Sequence, residues 1–445
     1  MKPRPSIFAG LALFLTIPCS GLAATGTPVI DKADTVWVTV SAALVLLMTP
    51  ALALFYGGMV RRKNVLSTML HSFVMLGIVS ILWLVVGYSV AFGKSSSGLV
   101  GNPFEYLFGN GISMHDPYPY ASPPGTIPAG VFMLFQMMFA IITPALISGA
   151  IAERMKFSGY VVFTTLWSLF IYCPIACWVW NPDGWLAKRG ALDFAGGTVV
   201  HLASGISALA VCLVLGKRRA LVHKEPVLPN NLTTTLLGAG LLWFGWIGFN
   251  AGSALGMNDQ AIYAFVNTHI AAAAGMLGWL ICEKFHVGKA TALGAASGLV
   301  AGLVAITPAA GFIAPMSAIL LGLVVGGVCC FAVGLKNKLG FDDSLDVVGV
   351  HGVGGTLGAI GTGVLASQAV NPAVADSLKS NGGQMGLILT QVIGVVAVGA
   401  FAFTGSIVLI KLIQATIGIR VSSEDETTGL DLALHGESGY NFEEY

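Results

Sequence analysis

The 445-residue chain is short of charge: Asp, Glu, Lys and Arg make up only 10% of it, where soluble domains carry about 25%. Its 22 basic and 21 acidic residues nearly cancel, leaving a net charge of +1, which argues against nucleic acid as a partner. Cysteine is scarce as well. Cys19, Cys173, Cys177, Cys212, Cys282, Cys329 and Cys330 have no zinc or redox spacing, so they read as small packing residues, and neither a metal nor a cofactor is expected. What abounds is apolar: 55% hydrophobic residues, a mean hydropathy of +0.81, and 57 dispersed glycines. Glycine at this level suits membrane helices, where small residues let backbones approach.

Residues 1–24 read as a signal peptide. Lys2 and Arg4 precede the apolar run 7–17, and Gly21-Leu22-Ala23-Ala24 supplies a small-residue cleavage site. A membrane span needs about 20 mainly apolar residues. Eleven segments qualify: 35–56, 66–92, 127–151, 159–180, 194–216, 232–252, 261–282, 291–307, 313–335, 345–366 and 385–412. They delimit a transmembrane domain over 25–413 and a polar tail over 414–445. One set of alternate loops holds Arg61, Arg62, Lys63, Arg154, Lys156, Lys217, Arg218, Arg219, Lys224, Lys284, Lys289, Lys336 and Lys338. The other holds Lys32, Lys94, Lys188, Arg189 and Lys379. The positive-inside rule makes the first set cytoplasmic. The N-terminus then lies outside after cleavage and the C-terminus inside, as in a multi-pass membrane protein.

Two halves of five spans would run in opposite directions. Span five opens with Asp193, Gly196-Gly197 and Val200-His201; span ten opens with Asp346, Gly349 and Val350-His351. The Asp-to-His spacing differs, eight residues against five, so the internal symmetry is weak. Weak inverted repeats are nonetheless what transporters carry, with sites at the repeat interface. A central charge costs about 2.5–3.5 kcal/mol on insertion scales; against that background His201 and His351 stand out. They are either hydrogen-bonded core histidines or a polar rail along an apolar path. At a rise of about 1.5 Å per residue they lie roughly 10 Å and 8 Å from the starts of their spans. Straight antiparallel helices would keep the rings apart unless both spans begin deep inside vestibules. His71 and His269 read as satisfied or peripheral histidines. Asp193 is an N-cap that suits a helix N-terminus or supports a nearby cation, and Asp342, Asp343 and Asp346 read as solvated caps of span ten.

Aromatic residues cluster around the same segments. Phe135 and Phe139 lie one turn apart in span three, Trp180 ends span four, and Trp243, Phe244, Trp246 and Phe249 crowd span six before Ser253. A cation over aromatic faces gains about 0.5–2 kcal/mol, enough to recruit a small cation.

Several runs resemble the ammonium transporter (Amt/Mep/Rh) family, closest to its bacterial Amt branch. They are Ala53-Leu54-Phe55-Tyr56-Gly57-Gly58, Ala152-Glu153-Arg154, the run from Asp193 to His201, Trp246 to Ser253, Thr307-Pro308, and Asp346 to Gly352. The resemblance implies an all-α polytopic membrane protein of eleven transmembrane helices, in two inverted five-helix repeats plus a final helix, assembled as a homotrimer. It implies that Phe139, Trp180 and Ser253 recruit ammonium outside, that Phe139 and Phe249 form a gate, and that His201 and His351 line an ammonia pore with Asp193 as supporting carboxylate. The tail pattern Gly429-Leu430-Asp431 and His435-Gly436-Glu437 implies docking of a PII-type signalling protein, where composition alone suggests a solvated string. A histidine-ligated haem or metal enzyme, a sensor with little flux and an Rh-type gas channel are the competing readings.

Overall fold

A computed structural model describes residues 29–119 and 125–440; the expected signal peptide lies outside them. Among the described residues the architecture is helical, with no strand and two isolated bridges. Helices follow from the composition, since a backbone in hydrocarbon must satisfy its own N–H and C=O groups. Ten are long and apolar enough to cross a membrane: α1 Lys32–Met59, α2 Arg62–Phe92, α3 Ala129–Ile151, α4 Phe157–Lys188, α5 Gly197–Leu215, α6 Leu232–Gly252, α7 Asp259–Val287, α9 Pro315–Leu339, α10 Val348–Leu365 and α11 Gln384–Thr416. The other apolar segment, α8 Ala292–Ile306, is shorter. Pro308 follows it, and the buried turn beyond packs inside the protein, its Ala310 and Ile313 carbonyls taken by Asn267 Nδ2 at 2.8 and 2.7 Å. α1 and α7 begin ahead of their apolar segments, where Asp31 and Asn258 cap them, and Asn231 and Thr291 cap α6 and α8; each accepts from a backbone N–H in the first turn.

In the packing, α1 lies along α6, α7 lies against α8 and α9, and α11 covers α5. The starts of α5 and α10 cross at the centre, walled by α3, α6 and α8. Large apolar side chains such as Phe73, Ile81, Phe170, Phe244 and Leu412 face outward, as lipid contact requires.

The basic end of the molecule is not a set of solvated loops. Glu153 takes Arg61 Nε at 3.0 Å and Arg218 Nη1 at 3.2 Å, while Arg218 also grips Asp342 at 2.9 Å. Burial pushes the Glu153 and Asp342 carboxyls up, but the guanidinium groups beside them outweigh it and hold both below the usual carboxylate range. Asp342 and Asp343 are therefore buried anchors rather than the solvated caps expected, because each faces protein donors instead of water. Asp346 sits partly exposed against Lys336.

The described part of the tail packs against the rest of the protein. It leaves α11, pairs with the chain after α3 through Lys156 N to Ile419 O at 2.8 Å and Val421 N to Arg154 O at 3.1 Å, and then crosses the basic end. Asp431 accepts from Leu66 N at 3.0 Å and Ser67 N at 2.8 Å, capping the first turn of α2. Glu426 takes Arg219 N at 2.5 Å and Arg420 Nη2 at 2.9 Å. Two of the acidic residues that suggest a solvated string by composition, Glu426 and Asp431, thus point at helix N-termini and an arginine.

Candidate functional site

The chain enters α5 through Asp193. Its Oδ1 accepts from Gly196 N at 2.8 Å and Gly197 N at 2.7 Å; its Oδ2 accepts from Thr198 N at 2.8 Å, Val199 N at 3.3 Å and the Thr198 hydroxyl. Burial pushes this carboxyl up, with these bonds pulling the other way. The bonds close a tight turn at Gly196, whose φ of 111° is left-handed territory suited to glycine. The backbone then runs through a π-helical turn, Gly197–Leu202, that carries His201. A second π-helical turn, Val348–Gly352, carries His351 at the start of α10. Such turns are rare and gather at functional sites.

Glycine brings the two turns together. A Cβ on Gly205 would sit 2.2 Å from Gly352 N, and one on Gly355 would sit 2.8 Å from Gly197 O and Leu202 N. The helices therefore cross with backbone against backbone, and the depth argument against contact between the rings fails. His201 Nδ1 and His351 Nδ1 lie 3.2 Å apart, with ring planes 24° from parallel. Both rings are buried. Trp246 stacks on His201 at 5.3 Å, its Nε1 anchored on Thr307 Oγ1 at 2.9 Å.

The pair lines a narrow cavity whose other walls are apolar and aromatic: Leu52, Ile142, Leu146, Val200, Trp246 and Val300 among them. Phe249 closes one end. It is 6.0 Å from His201 and 4.3 Å from Phe139. Beyond Phe139 opens a second cavity lined by Phe92, Phe132, Gln136, Phe139, Trp180, Phe194, Ser253 and Leu255. There Trp180 stands edge-on to Phe139 at 5.7 Å, its Nε1 held by the Asp193 carbonyl at 3.0 Å. Ser253 donates to Phe249 O at 2.8 Å, leaving its oxygen lone pairs to accept.

Phe139, Trp180 and Ser253 thus share one cavity, His201 and His351 share the next, and Phe139 and Phe249 lie between. Asp193 lines neither; it acts through backbone, on the turn below and on Trp180. His269 is apart, stacked on Trp243 at 5.0 Å on the outer face, and His71 is buried near Tyr160. Sequence reasoning missed Gln136. Its Oε1 is buried without a partner in the cavity that holds Trp180, and the available signal was a lone amide three residues before Phe139 in an apolar span. His201 Nε2 is likewise buried and unpartnered.

The pairing of Asp193 with Asp346 needs correction. Asp343, not Asp346, is the counterpart: Val348 N donates to Asp343 Oδ2 at 2.7 Å, the same five-residue reach as Thr198 N to Asp193. Asp343 also lies eight residues before His351, as Asp193 does before His201. Asp346, at φ 65°, takes the place of Gly196.

Comparison with known proteins agrees with this architecture. The model for "Ammonium Transporter Family" matches residues 36–440. An ammonium transporter of Bacillus subtilis is 49% identical over 408 residues, covering 92% of this chain and 98% of that protein. One of Aquifex aeolicus is 46% identical, covering 93% and 94%. Among solved structures, Saccharomyces cerevisiae Mep2 superposes with a TM-score of 0.81 at 37% identity, over 89% of this chain and 88% of that one. A structure described as a sensor Amt protein gives 0.83 at 31%, over 91% and 98%. Helices fit to span a membrane, two aromatic-walled cavities in series and likeness along nearly the whole chain converge: the protein belongs to the ammonium transporter family, and it is a membrane transporter rather than an enzyme.

Proposed function

We propose that this chain recruits ammonium at Phe139, Trp180 and Ser253, strips its proton near the Phe139–Phe249 gate, and conducts ammonia past His201 and His351. The observation that carries the reading is the imidazole pair, 3.2 Å apart in a narrow apolar cavity, with His201 Nε2 buried and unpartnered. A buried orphan nitrogen is costly, so a solute that donates or accepts a hydrogen bond there recovers that cost. Ammonium outside gains from the faces of Phe139 and Trp180 and from the Ser253 oxygen. Inside, its charge has no counter-ion among the cavity walls, and desolvating an unpaired ion is expensive. Ammonia crosses because it is neutral. The Nδ1 contact requires one ring to donate and the other to accept, so the outer nitrogens take opposite roles, and a proton passed along the pair reverses them. Asp193 supports the site by holding Trp180 and the His201 turn.

On this reading eleven helices form two inverted five-helix repeats plus a last helix, with α8 as the short eighth. Three copies assemble in a bacterial inner membrane, the vestibule and mature N-terminus outside. The basic end and its docked tail face the cytoplasm, where a PII-type protein would dock. The likeness to a sensor Amt protein supports a second reading, signalling with little flux.

The test is current recording on solid-supported membranes, with liposome uptake, using ammonium, methylammonium and potassium. His201→Ala and His351→Ala are expected to alter ammonium currents and uptake by about tenfold or more; unchanged conduction would remove the histidines from the path. Wild-type liposomes without uptake would favour the sensor.

A further inference from the structure

Helix α2 turns one apolar stripe outward. Leu70, Phe73, Ile81 and Leu84 are exposed along it, and Gly77 between them has nothing within 4 Å of a built Cβ. Spacings of three and four residues put all five on one helix face. The chain that follows does not leave this face. It exits α2 after Phe92 and folds back, Tyr106 N donating to Ser89 Oγ at 2.9 Å. A Cβ on Gly109 would sit 2.9 Å from Leu84 Cδ1. From Phe92 back to Leu84 is about 12 Å of helix at 1.5 Å per residue, so the loop returns well along α2, beside the lipid-facing stripe.

The loop suits that place. Phe104 is 76% exposed and Phe108 65%. The one charged residue between 103 and 112 is Glu105, whose carboxylate accepts from Lys94 N at 2.6 Å. Backbone donors are paired locally: Phe104 N with Asn102 Oδ1 at 3.1 Å, Gly109 N with Tyr106 O at 2.9 Å and Asn110 N with Leu107 O at 3.2 Å. A backbone beside hydrocarbon has to be satisfied in this way. Phe108 holds a φ of 57°, left-handed backbone that a bulky residue adopts only at a cost. The pinned turn holds that conformation and leaves the ring outward. On its other side the loop backs the vestibule: buried Tyr106 packs on Tyr88 at 5.2 Å, Tyr88 lies 5.7 Å from Phe92, and Phe92 lines the cavity that holds Trp180.

An exposed apolar patch continuous with a lipid-facing helix marks membrane contact, since water is a poor solvent for both rings. We propose that Phe104 and Phe108 insert among lipid acyl chains at the vestibule end of the protein, and so anchor to the bilayer the loop that backs the vestibule wall. The experiment uses the full-length protein in phosphatidylcholine liposomes. Spin labels are placed singly by Phe104→Cys and Phe108→Cys, with Phe73→Cys in the stripe and exposed Lys379→Cys as references. The signal of the labelled wild type, whose cysteines are free, is subtracted. Labels at 104 and 108 are expected to favour collision with oxygen over a water-soluble nickel chelate, as at 73 and opposite to 379, at a depth of about 5–10 Å. Phe104, outside the strained turn, decides the matter if Phe108→Cys does not fold. Preference for the nickel chelate at either position means a water-facing loop. Exclusion of both reagents, with dipolar broadening, means that a second copy covers the patch. Either result would overturn the proposal.

Discussion

The two turns that carry the histidines are built on one plan and finished differently. In each, a carboxylate eight residues before the histidine accepts from the backbone five residues on, a left-handed residue follows at the third position, and a π-helical turn presents the imidazole. Asp193 is saturated, with donors on both oxygens, whereas Asp343 keeps Oδ1 buried and without a partner. Burial pushes Asp343 up to about 6, Asp346 adding to it and Lys336 opposing. One local geometry therefore yields a fully bonded helix cap at Asp193 and a half-bonded carboxyl at Asp343, burial pushing both up. The spacing of a motif sets the shape of its turn; the neighbours set how many donors its carboxylate finds.

The most damaging way to break this pairing is at the crossing itself. Gly205→Ala drives a Cβ to 2.2 Å from the Gly352 backbone and should cost about 3 kcal/mol or more, seen as loss of folded protein on size-exclusion chromatography. Gly352→Ala meets nothing nearer than 3.5 Å and should stay within about 1 kcal/mol of wild type. Asp193→Asn comes next: an amide facing backbone N–H groups loses charge-assisted bonds worth about 2–3 kcal/mol, so thermal stability in detergent should drop clearly. Gly196→Ala follows at about 1–2 kcal/mol, since the side chain must accept φ 111° and a Cβ lies 2.6 Å from Val200 Cγ2. Its counterpart Asp346→Gly should change melting little, relief of the positive φ offsetting loss of the Lys336 pair.

The smallest effect is the pH dependence that Asp343 contributes. With its pKa raised in the folded state, Asp343 contributes stability that is full below the ordinary Asp range near about 3.9 and is lost as pH rises through 6. Asp343→Asn should flatten the melting profile over that window without lowering stability at pH 7. A slope that persists unchanged in the variant would assign it to another group.

Much of this was legible along the chain. Apolar length located the helices, and the runs around Asp193–His201 and Trp246–Ser253 pointed to the family the comparisons found. The reading faltered where neighbours in space decide. Asp346 looked like the partner of Asp193 because it shares the glycine-histidine context, yet it occupies the left-handed position, a conformation spacing does not reveal. The tail looked solvated by composition, because a count of acids cannot say that Asp431 will meet the start of α2. Gln136 was passed over because a single amide becomes telling only when its oxygen proves to be buried without a partner.

The amino-acid order by itself determined that this chain would be helical, membrane-embedded and of the ammonium transporter family, because hydrocarbon allows few backbone solutions and the motif runs are specific. The tertiary structure alone decided that His201 and His351 would touch. Their meeting depends on two helices from opposite halves of the chain crossing at glycines, and contact between residues 150 positions apart is a property of packing.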